Sequence, residues 1–271
     1  AEVVDVLAND SSTAPGSLTI THINGQAVSA GDTVTLTTGE EITLNGDGTF
    51  TIDSDGAEGT NSFSYQVADA AGNTDTGFVT VDTTPCFVAG TLIDTPRGPV
   101  PVEVLRAGDL VLTRDRGPQA LRWIGLSERL AEGADAPVVL ARGALGDHAA
   151  LAVSQQHRIL LISGRAEVMF GAGEVLVAAK HLVNGRSIRI CADCAPVTYV
   201  HLLFDRHEIV TGNGLESESY HPGDRTLGAF DARVRDEVLR LMPDLAARDL
   251  GYGPAARPAL RGYEARALIR A

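Results

Sequence analysis

The first 85 residues contain thirteen Asp and Glu and no Lys or Arg; the first basic residue is Arg97. Residues 86–271 then carry 22 acids against all 22 bases and are neutral. A single core seldom spans so abrupt a change. At 271 residues the chain is long enough for two domains, each with its own interior. The net charge of −13 therefore belongs to the first of them. A nucleic-acid role is excluded on the same ground, since phosphate contacts need a basic patch and the acidic half would be repelled. No run of 18 or more apolar residues offers a transmembrane segment. The opening AEVVDVLAND, without Met or a basic-then-apolar leader, reads as a mature or excised piece.

Within residues 1–85 apolar side chains recur with period two: Val34/Leu36, Ile42/Leu44, Phe50/Ile52, Phe63/Tyr65/Val67 and Val79/Val81. Asn24-Gly25, Gly31-Asp32, Asn45-Gly46-Asp47-Gly48 and Ala71-Gly72-Asn73 punctuate them. Short alternating strands at this spacing predict an antiparallel β-sandwich. VLAND (6–10), GDGTFTI (46–52) and NSFSYQVADAAGNTDTGFVTV (61–81) resemble the cadherin-like or Ig-like repeats of bacterial adhesins. That resemblance implies a secreted or cell-surface module in which Asn9, Asp10 and Asp69 are candidate calcium ligands; solvated turn acids are the plainer reading.

The pattern changes after Cys86. Residues 90–115 read as short strands around a turn at Pro96–Pro99, followed by strand-like runs at 137–141, 149–162, 174–178 and 197–211. Leu227, Phe230, Val234, Val238 and Leu241 recur at helical spacing up to Pro243, and 258–270 forms a second helical stretch. The three cysteines are Cys86, Cys191 and Cys194. The Cys191/Cys194 pair fits a local disulfide, half of a zinc site or two idle thiols, and no second CxxC or paired His segment accompanies it.

Cys86 stands at the junction where the charge changes. Most free cysteines are buried packing residues, and a linker is an unusual place for one. Its sulfur is adjacent in sequence to the carbonyl of Pro85, so attack there would convert the Pro85–Cys86 amide to a thioester. A thiol of pKa about 8.5 needs a base or cation nearby. The released amine needs a proton, which a histidine supplies in many enzymes. Among seven histidines, His157 in LAVSQQHRILL and His207 in VTYVHLLFDRHEIVTGNGL follow strand-like runs.

CFVAGTLIDTPRG followed by VEVLRAGDLVLT resembles the start of a Hedgehog/intein (Hint) domain. SQQH (154–157) is similar to that family's T-x-x-H element with Ser154 in the Thr position, and Tyr199 to His207 has the spacing of its late block. The resemblance covers 86–271, including HPGD (221–224) and GPAARPALRGYEARAL (253–268). Beside the acidic sandwich expected at 1–85, it implies an all-β, horseshoe-like Hint domain at 86–218 and a helical extension at 219–271. It also implies self-cleavage of the Pro85–Cys86 bond without a cofactor. Cys86 would be the nucleophile, Ser154 would hold the scissile region, and His157 would distort the amide and protonate its nitrogen. His207 would assist from the opposite side, and water, a thiol, an amine or a lipid alcohol would accept the acyl group. The sequence departs from splicing inteins: GLESESYHPG carries no terminal Asn, so one-sided cleavage rather than ligation is expected. Val200 occupies a position where the family usually has an acid, which Asp205 would have to replace. The rivals are an inactive Hint scaffold in an adhesin-like binding protein and a Cys–His hydrolase acting on other substrates.

Overall fold

The computed structural model describes residues 2–8, 10, 18–36, 40–53, 59–83, 85–191, 196–221 and 252–269. The first half forms two four-stranded antiparallel sheets. One has the order β1-β6-β5-β4, from Glu2–Val4, Phe50–Asp53, Glu41–Leu44 and Thr33–Thr35. The other has the order β3-β2-β7-β8, from Gln26–Ala27, Thr19–Ile23, Gly59–Ala68 and Thr74–Thr83. Val34, Leu36, Ile42, Leu44, Phe50, Ile52, Phe63, Tyr65 and Val67 are all buried in one cluster, as the alternation requires of a two-sheet sandwich. Asn24 and Gly25 both have positive φ in the β2–β3 turn, the conformation that an Asn-Gly hairpin favours.

The second half is also mainly antiparallel β. A six-stranded sheet runs β14-β20-β9-β16-β15-β19. Its strands are Trp123–Arg129, Val197–Leu203, Phe87–Val88, Leu151–Val153, Val138–Leu140 and Ile188–Ile190. A second sheet, of eight strands, runs β11-β10-β21-β22-β17-β18, with β12 and β13 joined to it through β21. Those are Val100–Pro101, Leu92–Ile93, Ile209–Gly212, Leu215–Glu218, Arg158–Ile162 and Glu174–Ala178, with Leu110–Thr113 and Gly117–Ala120. Two short helices, α1 (Gly164–Phe170) and α2 (Ala179–Leu182), follow β17 and β18. The strand-like run 149–162 thus divides into β16 and β17 around the Ser154–His157 turn, and 197–211 divides into β20 and β21.

At the C-terminal end, helix α3 covers Gly262–Ile269, within the helical stretch expected at 258–270, and buries Ala265 and Leu268 in the large core. The Leu176 N–H donates to the Pro258 carbonyl and the Leu260 N–H to the Leu176 carbonyl, which ties this segment to β18. The helical run anticipated from Leu227 to Leu241 lies outside the described residues, as do Asn9 and Cys194.

Strand β9 sets the geometry around the junction. These two residues lie between β16 and β20, with Phe87 opposite Val153 on one side and Val200 on the other. Both pairings are antiparallel. One step back along β9 therefore places Cys86 across from Ser154 on one neighbour and His201 on the other. Gly212 gives Phe87 its seat: a β-carbon there would lie 2.8 Å from the Phe87 ring.

Candidate functional site

The ladder register brings three segments that are distant in sequence to the Pro85–Cys86 peptide. The Cys86 N–H donates to Ser154 Oγ (3.0 Å), and the Ser154 N–H donates to the Cys86 carbonyl (3.0 Å). From β20, His201 places Nδ1 3.4 Å and Nε2 3.7 Å from Cys86 Sγ. The same Nδ1 lies 3.3 Å from the Pro85 carbonyl oxygen. One ring nitrogen thus faces both the sulfur and the oxygen of the carbonyl beside it.

The surroundings are apolar. Cys86, a thiol outside any disulfide and 6% exposed, packs with Ala131, Val197, Tyr199 and Val88. Tyr199 donates its hydroxyl to the Asp135 carbonyl (2.7 Å). Burial, followed by the neighbouring Cys86 and Asp135, pushes the Tyr199 phenol well above its ordinary range and keeps it protonated. Burial also lowers His201 to a pKa of about 4, against the opposing effect of its contact with the Pro85 carbonyl; Arg129 adds to the lowering. At neutral pH His201 is therefore an uncharged base.

His157 lies in the turn that carries Ser154, and its own N–H closes that turn on the Ser154 carbonyl. Its ring packs edge-on against Phe87 with centroids 4.5 Å apart. Neither ring nitrogen hydrogen-bonds a described residue. Burial, with smaller contributions from Arg158, His201 and His207, lowers its pKa to about 3. Such an imidazole is neutral at pH 7, and unsatisfied buried nitrogens cost stability.

The sequence expectation for His207 meets a different geometry. His207 follows β20 in the connection to β21, where Nδ1 accepts the Ala256 N–H (3.0 Å) and Nε2 stands 3.5 Å from Glu218. Glu218 in turn accepts the Arg158 N–H (2.7 Å) and meets the Arg158 guanidinium. The residue of the late block that touches the sulfur is His201, six positions earlier. Its signal was present in the sequence: a histidine at the i+2 position from Tyr199 in the apolar run VTYVHLL shares one strand face with that tyrosine, and an interior strand has no packing need for an imidazole. Asp205 does not stand in for the acid absent at Val200; it pairs on the surface with Arg122 (2.7 Å), while Val200 is fully buried in the core.

Asp69 caps its own loop, accepting the Ala71 and Asn73 amides on Oδ1, and Asp10 accepts the Tyr65 hydroxyl. Among the described residues no group of three or more His, Cys, Asp or Glu side chains could hold a metal ion. Cys191 is disulfide-bonded.

No curated protein matches the chain. Among solved structures, the chain is similar to the solution structure of a bacterial intein-like domain from Clostridium thermocellum. That match has 18% identity and a TM-score of 0.34, and covers 50% of this chain and 97% of that one. A bacterial Ig domain model matches residues 1–82. The Hint domain model matches residues 85–224, opening at Pro85 itself and taking in Cys86, Ser154 and His201. Residues 85–224 being just over half of its length, the chain belongs to the Hint domain family, with a bacterial Ig-like domain in front.

Proposed function

We propose that the chain cleaves itself at Pro85–Cys86 through a thioester. The observation that carries this reading is the placement of His201 Nδ1 within 3.4 Å of both Cys86 Sγ and the Pro85 carbonyl oxygen. Nδ1 takes the thiol proton as the sulfur bonds to the Pro85 carbonyl carbon. The protonated ring then donates to the oxygen on which negative charge develops, as an oxyanion-hole donor does. When the carbonyl re-forms, the carbon–nitrogen bond breaks and the proton passes to the Cys86 nitrogen. Sγ and this nitrogen belong to one residue, so a single imidazole can serve both. Ser154 Oγ holds the nitrogen throughout. The products of this step are a Pro85 thioester and a free Cys86 amine, with no net gain or loss of protons.

An external nucleophile (water, a thiol, an amine or a lipid alcohol) then takes the acyl group, and Sγ leaves and regains a proton. The acidic Ig-like half is released or transferred at a secreted or cell-surface location. Turnover of added peptides fits less well, because a thiol only 6% exposed gives an outside polypeptide little access. The same burial favours one second reading, a structural scaffold without activity.

The test is cleavage in dithiothreitol, followed by intact mass. Cys86→Ala should remain whole, and His201→Ala should react about 10²–10⁴-fold more slowly than the parent. A His201→Ala chain that cleaves at the parent rate while His157→Ala does not would return the proton transfer to His157. A parent chain that stays whole would leave the scaffold reading.

A further inference from the structure

Gly125 lies directly opposite His201 in the β14–β20 ladder, on the side away from Cys86. A β-carbon at Gly125 would fall 2.0 Å from Trp123 Cη2 and 2.6 Å from Cζ2. The indole therefore lies folded along its own strand, across the space that a side chain at 125 would fill. There it runs nearly parallel to the His201 ring, with centroids 6.3 Å apart and planes 25° apart. Tyr220 meets the same imidazole edge-on at 5.9 Å. Trp123 is only 6% exposed and Tyr220 only 1%, so the two aromatics wall the ring from solvent.

We infer that Trp123, laid flat by Gly125, is the positioning residue for His201, fixing the imidazole plane beside Cys86 and keeping water from it. This rests on the self-cleavage reading for its purpose, though not for its geometry. A planar side chain has a broad terminal torsion, and only its neighbours decide which way a ring nitrogen points. The indole lies along the ring plane in which Nδ1 reaches both Sγ and the Pro85 oxygen. The dry wall also opposes protonation of the ring, consistent with its lowered pKa. Among the described residues, the titratable and charged groups seen to bear on the ring are the Cys86 thiol, the Tyr220 hydroxyl on the segment after β22, Arg129 on β14 and His157 beyond Phe87.

The experiment uses the full chain carrying Cys86→Ala, so that no cleavage intervenes, and follows the His201 ring by NMR as pH is lowered. With Trp123 present the ring should protonate far below the ordinary histidine value of about 6.5. Trp123→Ala should move the midpoint up toward that value, Gly125→Ala should do the same by displacing the indole, and Trp123→Phe should stay near the parent. In chains that keep Cys86, thiol-induced cleavage at pH 6 should be about 100-fold slower in Gly125→Ala, the size of effect expected of a misplaced catalytic group. Trp123→Phe should rescue most of the rate. A titration midpoint unchanged by Trp123→Ala overturns the inference even where cleavage is normal. A shifted midpoint in a chain that thiols never cleave supports the inference and removes the self-cleavage reading instead.

Discussion

The two halves of the chain use the same short antiparallel strands but bury different groups. In the Ig-like half, the described interior is hydrocarbon and aromatic, with Glu40 as the buried charged residue. Exposed acids among the described residues satisfy turns: Asp32 takes the Ser29 amide, Asp47 the Thr49 amide and hydroxyl, and Asp69 two amides of its loop. The Hint half places His148, His157, His201, His207, Arg158, Glu208 and Glu218 in its interior. Buried polar and charged groups rarely add stability over well-packed apolar ones. A fold that carries them is therefore organised around something besides staying folded, and the difference agrees with the proposed chemistry lying in the second half.

The largest expected effect would show the halves to be separable. Phe50 is fully buried and meets Phe63 and Tyr65 edge-on. Phe50→Ala should cost the sandwich about 3–5 kcal/mol in denaturant unfolding. Thiol-induced cleavage after Pro85 should continue at close to the parent rate. A parallel fall in both would mean that the first half supports the site.

Ser154→Ala acts on the other half. It leaves the Cys86 N–H without its acceptor, at a cost of about 1–3 kcal/mol in unfolding free energy. It should also slow cleavage, and Ser154→Thr should restore the rate. An alanine variant as fast and as stable as the parent would remove Ser154 from the site.

Acid should also separate the two halves. His157 and His201 have pKa values lowered by burial to about 3 and about 4, against about 6.5 in the unfolded chain. The unfolded state therefore binds more protons throughout that interval. The contribution of these imidazoles to stability is complete above about pH 6.5 and is lost as pH falls toward 4. The slope is at most about 1.4 kcal/mol per pH unit for each histidine. Urea midpoints of the Hint half measured from pH 7 to 4.5 should fall, and His157→Phe should flatten the decline. A midpoint that is level over that range contradicts the buried, neutral imidazoles.

The smallest effect belongs to the surface. The Arg122–Asp205 pair is more than half exposed at both ends. Arg122→Ala should cost only about 0.2–1 kcal/mol, with less in high salt, and leave cleavage unaltered. A loss of activity there would give Asp205 the role its surface position denies it.

Much of this contrast is legible in the residues. Period two marks the sandwich strands, because each needs one apolar face, and the change in charge marks the junction at Cys86. The SQQH turn shows itself because a polar tetrapeptide interrupts two apolar runs. His201 is harder to find. Local pattern favours histidines that follow strands, such as His207, over one inside VTYVHLL, and only the pairing of β9 with β16 and β20 shows which imidazole faces the sulfur. Strand β14 is hidden for a related reason: its Trp123 and Gly125 acquire meaning from a neighbour that is distant in sequence. Cross-strand register is non-local information, and motif spacing does not contain it.

The most direct test of the central claim is the intact mass of the purified chain after incubation in hydroxylamine, which captures a thioester as a hydroxamate. Self-cleavage through Cys86 predicts two species, one ending at Pro85 as the hydroxamate and the other beginning with an unmodified Cys86. A chain that remains at 28.4 kDa, or that breaks at any other bond, contradicts it.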